Sequence, residues 1–206
     1  GVGTNLQDHV VVGVGFARRS GGAFQDLLRY DRIALAMARA YCLGTGPATR
    51  LPGGGMGLLK LDPNSTVPEL QFAFRVTARE ARPWWPWARP DWQDELVMLA
   101  GLLHPQSRGS IEVTSIDPRV APRVHTHFLE RDRDVATLVA GIRIIRKLIG
   151  QSALDPLRGE ERSPGAALES DHALATFVRS TASTFHHAAG TCRMGPDEGA
   201  VVDVRL

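Results

Sequence analysis

Two histidine clusters carry the residue types best suited to chemistry. The first lies in Thr184-Phe185-His186-His187-Ala188-Ala189-Gly190-Thr191-Cys192-Arg193-Met194-Gly195. Imidazole titrates near neutrality, so a ring in this glycine-bounded loop can take a proton at pH 7 and return it. One packed histidine beside a solvated neighbour fits the same pattern, and spacing alone does not separate the two readings. The second cluster is His125-Thr126-His127. In an extended segment both rings point to one face, as a metal site needs. No carboxylate at ligand spacing and no third histidine in register accompany them, so no metal is assigned.

Other motifs narrow the chemistry. Gly1-Val2-Gly3 and Gly13-Val14-Gly15 begin like dinucleotide loops but lack the third glycine, and no helix with an acid about 20 residues on follows them. Gly53-Gly54-Gly55-Met56-Gly57 lacks the Lys-Ser/Thr of a phosphate loop, and no Gly-x-Ser-x-Gly elbow is present. Trp84, Trp85, Trp87 and Trp92 sit in a Pro/Arg-rich stretch that reads either as a lid over an apolar cavity or as a loop pinned to the body by its aromatics.

The 206 residues allow one large domain or two small ones, and 43% hydrophobic with 22% charged residues is ordinary globular composition. The formal net charge is +2, and only Lys60 and Lys147 among the cations are lysines. Acids are scattered among the arginines, so no nucleic-acid partner is expected. No apolar run approaches the roughly 20 residues of a spanning helix. Cys42 and Cys192 form no framework of staples and fit a reducing, cytoplasmic setting, with peripheral membrane association left open. The chain opens on Gly1 without an initiator Met, and it reads as an internal fragment of a longer protein.

Periodicity predicts the elements that must position these groups. Val10–Phe16 reads as a strand weakened or bulged by Gly13 and Gly15. Phe24–Leu43 reads as one helix with Leu27, Leu28, Leu35 and Ala38 on its face and Gly44 as its stop. Gly57–Leu61 reads as a short strand. Glu69–Val76 alternates cleanly, with Leu70, Phe72, Phe74 and Val76 on one face and Gln71, Ala73 and Arg75 on the other. Glu95–His104 and Ser110–Ile116 read as two strands around a five-residue connection, a hairpin-like pair. Asp132–Ile149 is the strongest helix, and Ser170–Thr181 is a second with Ser170 as its N-cap. Strands precede helices, so an α+β fold with an antiparallel sheet packed with helices is expected.

With these motifs in view, the chain resembles the glucose–methanol–choline (GMC) flavoprotein oxidoreductases, in their choline- and alcohol-dehydrogenase-like branch. Four stretches carry the resemblance in the family's order: Gly1-Val2-Gly3-Thr4-Asn5-Leu6-Gln7-Asp8-His9, then His104-Pro105-Gln106-Ser107-Arg108-Gly109-Ser110. Asp117-Pro118-Arg119 through Phe128-Leu129 into Leu138–Arg143 follows, then His187–Gly195 with Val201-Val202-Asp203.

The resemblance implies FAD as cofactor, a substrate domain built on an antiparallel sheet of about six strands, and edges of an FAD-binding domain at both ends. It implies a connecting segment over 1–20, the substrate-binding domain over 21–182 and the catalytic loop over 183–206. The remainder of the FAD-binding domain is the implied partner. The implied reaction oxidises a small-molecule alcohol to a carbonyl by hydride transfer to the flavin, assisted by a histidine base. Counting back from Gly190 places that base on His187, while His186 stands where the family usually has a Trp or Tyr, and Ala188-Ala189 replace Pro-Val. The strand carrying Gln71 and Ala73 matches a substrate-facing strand, which makes Gln71, Ala73 and His186 candidate lining residues. Ala73 stands where some choline-active members carry a His, which points from choline toward a bulkier or less polar alcohol. Two other classes remain as alternatives: a non-catalytic interaction domain using the tryptophan-rich loop, and a metal-dependent hydrolase using the histidine pairs.

Overall fold

The alternation Val10, Val12, Val14, Phe16 buries one side of β1 (Val10–Arg18), and β1 lies at the centre of the sheet. This strand falls largely within the 1–20 stretch that the sequence reading treats as a connection. A computed structural model describes residues 1–50, 54–75, 78, 80–88 and 92–206. The other strands of the sheet are β2 (Met56–Leu59), β3 (Leu70–Arg75), β4 (Glu95–Leu102), β7 (Arg158–Ser163) and β8 (Ser183–Thr184), and a separate ribbon contains β5 (Ser110–Glu112) and β6 (Arg123–His125). The sheet runs β2-β3-β4-β1-β7 with β8 also on β1, and every pairing is antiparallel. Among the described residues it forms, with four α-helices, the expected α+β architecture of six strands packed with helices.

One face of the sheet is covered. Helix α3 (Asp132–Ile149) presents Val135, Leu138, Val139, Ile142, Ile145 and Ile149, and these meet Val10, Val12, Val14, Leu70, Phe72 and Ala100 from the strands. Helix α4 (Asp171–Thr181) adds Leu174 and Val178, and the Ser170 side chain caps it by accepting from the Ala173 N–H at 3.2 Å. Burial of this apolar stripe against the strands supplies the main drive for the fold. The odd-numbered face of β1 and β4 carries no such cover.

Two sequence readings need correction, and one strand has no counterpart among the readings. The helix over Phe24–Leu43 is two helices, α1 (Ala23–Leu27) and α2 (Tyr30–Leu43). Between them Arg29 bridges Trp84: Tyr30 N–H donates to the Trp84 carbonyl at 2.8 Å, and Trp84 N–H donates to the Leu28 carbonyl at 3.1 Å. A tertiary backbone pairing thus overrides local helix propensity. The inward residues are Leu28 and Ala36, whereas Leu35 is 72% exposed and Ala38 is also exposed. Gly44 does end α2, at φ 63°.

The second correction concerns the hairpin. β5 pairs with β6, not with β4. Ser107 is tied to Asp134 at the start of α3, through its hydroxyl at 2.6 Å and its N–H at 2.9 Å, and this redirects the chain after β4. No element is read from the sequence at β7, whose Arg-Gly-Glu-Glu-Arg-Ser has no apolar alternation. Arg146 of α3 holds it through Glu161 at 2.7 Å and through the Gly165 and Leu168 carbonyls.

The tryptophans divide. Trp84 donates to the Gln25 carbonyl and Trp92 to the Arg82 carbonyl, which pins the loop; Trp85 and Trp87 stack on each other outside, with ring centroids 5.0 Å apart. Gly53 and Val76 from the readings above lie outside the described residues. Among the described residues no helix is long and apolar enough to cross a membrane.

Candidate functional site

The two sequence ends of the chain are zipped together. After α4 the chain runs back beside the start of β1, pairing Thr184 with Val10 and Ser183 with Val11. The zip continues through Phe185 N–H to the His9 carbonyl at 2.9 Å and the reciprocal Gln7–Ala189 bonds at 2.9 and 2.8 Å. On the other flank Leu6 and Gly109 exchange bonds at 2.9 and 2.8 Å. The Asn5–His9 motif is therefore clamped between the His187–Gly195 motif and the Pro105–Gly109 turn. Gly190 sits at φ 98°, and a Cβ there would lie 2.3 Å from the Asn5 carbonyl oxygen, so only glycine lets the two segments approach.

This clamp brings Asp8, Thr184, His9, His187 and Phe185 together. Asp8 is 6% exposed, and its Oδ1 accepts the His187 backbone N–H at 2.8 Å. Its Oδ2 accepts the Thr184 hydroxyl, whose oxygen in turn accepts the His186 N–H at 2.8 Å. His186 is held at φ 65° by these bonds, a conformation uncommon for a residue with a Cβ. His187 Nδ1 lies 3.0 Å from His9 Nδ1, with the rings edge to face and their centroids 5.0 Å apart. The Phe185 ring stands 5.4 Å from the His187 ring. Burial holds the His9 imidazole below its ordinary value; His187 pushes the same way, Asp8 opposes and His104 adds slightly.

A cavity of about 460 Å³ opens beside this cluster on the uncovered face of the sheet. Val11, Gly13, Gly15, Val97, Leu99 and Phe185 give it an apolar floor, and His186 stands among its walls. Gln71 and Ala73 share this face but do not line the cavity, whereas Arg75 on the same strand does. Another hollow of about 350 Å³, between α3 and α4, holds Arg143–Asp171 and Arg179–Asp132 ion pairs and no histidine.

The His125 and His127 rings lie 5.8 Å apart, and His127 contacts Glu130. Among the described residues no group of three His, Cys, Asp or Glu side chains is placed to hold a metal ion. The FAD implied by the resemblance fits these residues at its ring end: an exposed imidazole edge beside a cavity with an apolar floor suits a flat organic acceptor. The α-helix N-caps are Gly22, Arg29, Arg131 and Ser170, and none carries the Gly-x-Gly-x-x-Gly loop that cradles a diphosphate. Sequence reasoning assigned no role to Asp8, His9 or Phe185. A carboxylate beside a histidine in the first motif was the available signal.

The sequence model described as GMC oxidoreductase matches residues 105–206. Oxygen-dependent choline dehydrogenase of Proteus mirabilis is 32% identical over 203 residues, covering 98% of this chain and 36% of that protein. The protein of the same name from Pseudomonas syringae pv. tomato is 33% identical over 98% of this chain and 35% of its own length. Among solved structures, pyridoxine 4-oxidase from Mesorbium loti superposes over 100% of this chain and 36% of its own, with TM-score 0.75 and 25% identity. A formate oxidase shares the fold over 93% of this chain and 38% of its own, with TM-score 0.79 and 22% identity. The chain thus spans little more than a third of the relatives it matches, and over that span its clamped histidine motifs, its sheet and its sequence place it in one group: the chain belongs to the GMC oxidoreductase family.

Proposed function

We propose that this chain forms the substrate-facing part of an FAD-dependent enzyme that oxidises an alcohol to a carbonyl compound, with His187 as the base. The observation that carries this reading is the 3.0 Å contact between His187 and His9 beside a cavity with an apolar floor. FAD, the cofactor of the family, would supply the hydride acceptor for the alcohol carbon when bound. The remainder of the FAD-binding domain is the partner that this reading requires.

The protein's share is proton handling and orientation. His187 Nδ1 faces His9, which leaves Nε2 as the edge available to a hydroxyl. A base at Nε2 needs its proton on Nδ1, donated to a neutral His9 Nδ1. Burial keeps His9 below its ordinary value and so favours the neutral ring that can accept. Once His187 takes the alcohol proton, the same Nδ1–H bond stabilises its cation. Asp8 fixes the backbone of the turn, and Phe185 restricts the ring from one side.

The test is anaerobic addition of alcohols to the FAD-loaded protein, followed by stopped-flow bleaching of the flavin. His187→Ala is expected to slow reduction by roughly 10²–10⁴-fold, the range for a positioned acid/base group. His186→Ala should cost far less. Undiminished reduction in His187→Ala removes His187 as the base.

A further inference from the structure

Gly13 and Gly15 lie in the central strand β1, hydrogen-bonded to β4, where glycine weakens a strand through lost packing and chain entropy. Neither has a positive φ. A Cβ on Gly15 would meet Glu95 Oε2 at 3.5 Å and Ser163 Cβ at 3.9 Å, ordinary contact distances. On Gly13 it would meet Leu99 Cδ2 at 3.2 Å, the tip of a flexible side chain that can shift by a few tenths of an ångström. Backbone geometry therefore demands glycine at neither position. Both line the 460 Å³ cavity, so a side chain longer than a methyl at either position would project among its lining residues.

The register arranges that volume as a lane. On the open face Val11 pairs with Gly101, Gly13 with Leu99 and Gly15 with Val97. Phe185 covers Gly101, whose Cβ would lie 3.3 Å from its ring. The lane starts at Val11, beside the zipped Ser183 and the histidine turn, and ends toward Glu95, which is ion-paired with Arg162 at 3.5 Å. From Val11 to Gly15 is four residues, about 13 Å of strand, which matches an extended alcohol of about ten carbons. Near the histidines the lane offers Val11, Leu99 and Phe185, and the carboxylates that line the cavity among the described residues, Glu80 and Glu95, stand together at its other end.

Resting on the reading of an alcohol oxidoreductase, we propose that the Gly13–Gly15 lane is a substrate channel that selects alcohols with an extended apolar body over small charged ones. The glycines are its specificity-determining residues: any side chain at 13 or 15 stands in the path of the substrate's apolar tail.

The test uses the FAD-loaded protein and two readouts. One is kcat/KM for straight-chain primary alcohols from 1-butanol to 1-decanol, with choline alongside. The other is calorimetric binding of butanoate and decanoate, which report the channel without turnover. The wild-type kcat/KM is expected to rise by roughly three- to fourfold per methylene buried. Gly13→Val and Gly15→Val should each lower the decanol-to-butanol ratio by about tenfold or more, and weaken decanoate more than butanoate. Gly15→Ala, whose added methyl has only ordinary contacts, should give a smaller shift in the same direction and guards against a folding defect in the valine variants. A flat chain-length profile in the wild type, or variants that change every ligand by one factor, overturns the channel. If alcohols bleach the flavin without length preference, the channel falls and the reaction stands. If none bleaches it while decanoate still outbinds butanoate in a glycine-dependent way, the reaction falls and the channel stands.

Discussion

Asp8 and His187 stand 179 positions apart in the chain, and Asp8 Oδ1 accepts the His187 backbone N–H at 2.8 Å. A buried carboxylate that holds an amide and a hydroxyl fixes the turn carrying the imidazole, not the imidazole itself. Asp8→Ala leaves the His187 N–H and the Thr184 hydroxyl without their acceptor. The expected loss is about 2–3 kcal/mol in urea unfolding, the range for bonds to a charged group. Flavin reduction should slow by up to about 100-fold, since misplacement by an ångström costs that much. The pH profile of kcat/KM separates this from a merely structural loss. Asp8 supports the His9 cation, so its removal should move the acid limb to lower pH. An acid limb that stays in place assigns Asp8 to packing alone.

His9 makes stability depend on pH. Its folded value lies below its ordinary one, chiefly through burial. Between those two values the unfolded chain binds more protons than the folded one, so stability rises with pH through that window. The contribution is fully present above about pH 6.5 and is lost as pH falls toward the lowered value. The wild-type Tm should therefore drop further than that of His9→Gln between about pH 7.5 and 5.5. Parallel Tm curves for the two proteins count against a depressed His9.

What the sequence made legible follows from where its signals are local. Helix α3 and the strand β3 each bury an apolar stripe with a clear period: α3 has the limits the periodicity gives, and Leu70 and Phe72 of β3 face the core as the alternation predicts. β7 was invisible because its partner interactions are ionic, Arg146 with Glu161, and its residues have no apolar alternation. The break between α1 and α2 depends on Trp84, more than 50 residues later in the chain, and no helix propensity reports that. At the site, His187 stood out through its motif. The approach of His9 and the grip of Asp8 depend on a backbone zip between segments at opposite ends of the chain, which no local pattern encodes.

His186 provides a stability test of the same turn. It sits at φ 65°, where a residue with a Cβ carries about 1–2 kcal/mol of strain. Glycine relieves that strain but gains about 0.4–1 kcal/mol of unfolded-chain entropy. His186→Gly should then stay within about 1 kcal/mol of wild type, while the β-branched His186→Ile should lose about 1–2 kcal/mol through the crowded φ. Urea denaturation measures both. Equal losses in the two variants mean that the side chain, not the backbone conformation, governs this position.

The faces of β3 can be tested with neighbouring residues. Phe72 is 6% exposed and packs in the core under α3. Phe72→Ala should destabilise by about 3–5 kcal/mol, the cost of truncating a buried phenylalanine. Ala73 points the other way, in a row with Met56 on β2 and Leu99 on β4, and Leu99 pairs onward with Gly13. A ring at position 73 enters the open face beside the lane and disturbs no core contact. Ala73→Phe should therefore leave urea stability within about 0.5 kcal/mol, the range for substitutions away from the core. It should also shift the alcohol series toward shorter chains by crowding Leu99 over Gly13. Loss of stability in Ala73→Phe with a tolerant Phe72→Ala would place β3 one residue out of register, because a slip of one exchanges every side chain between the faces.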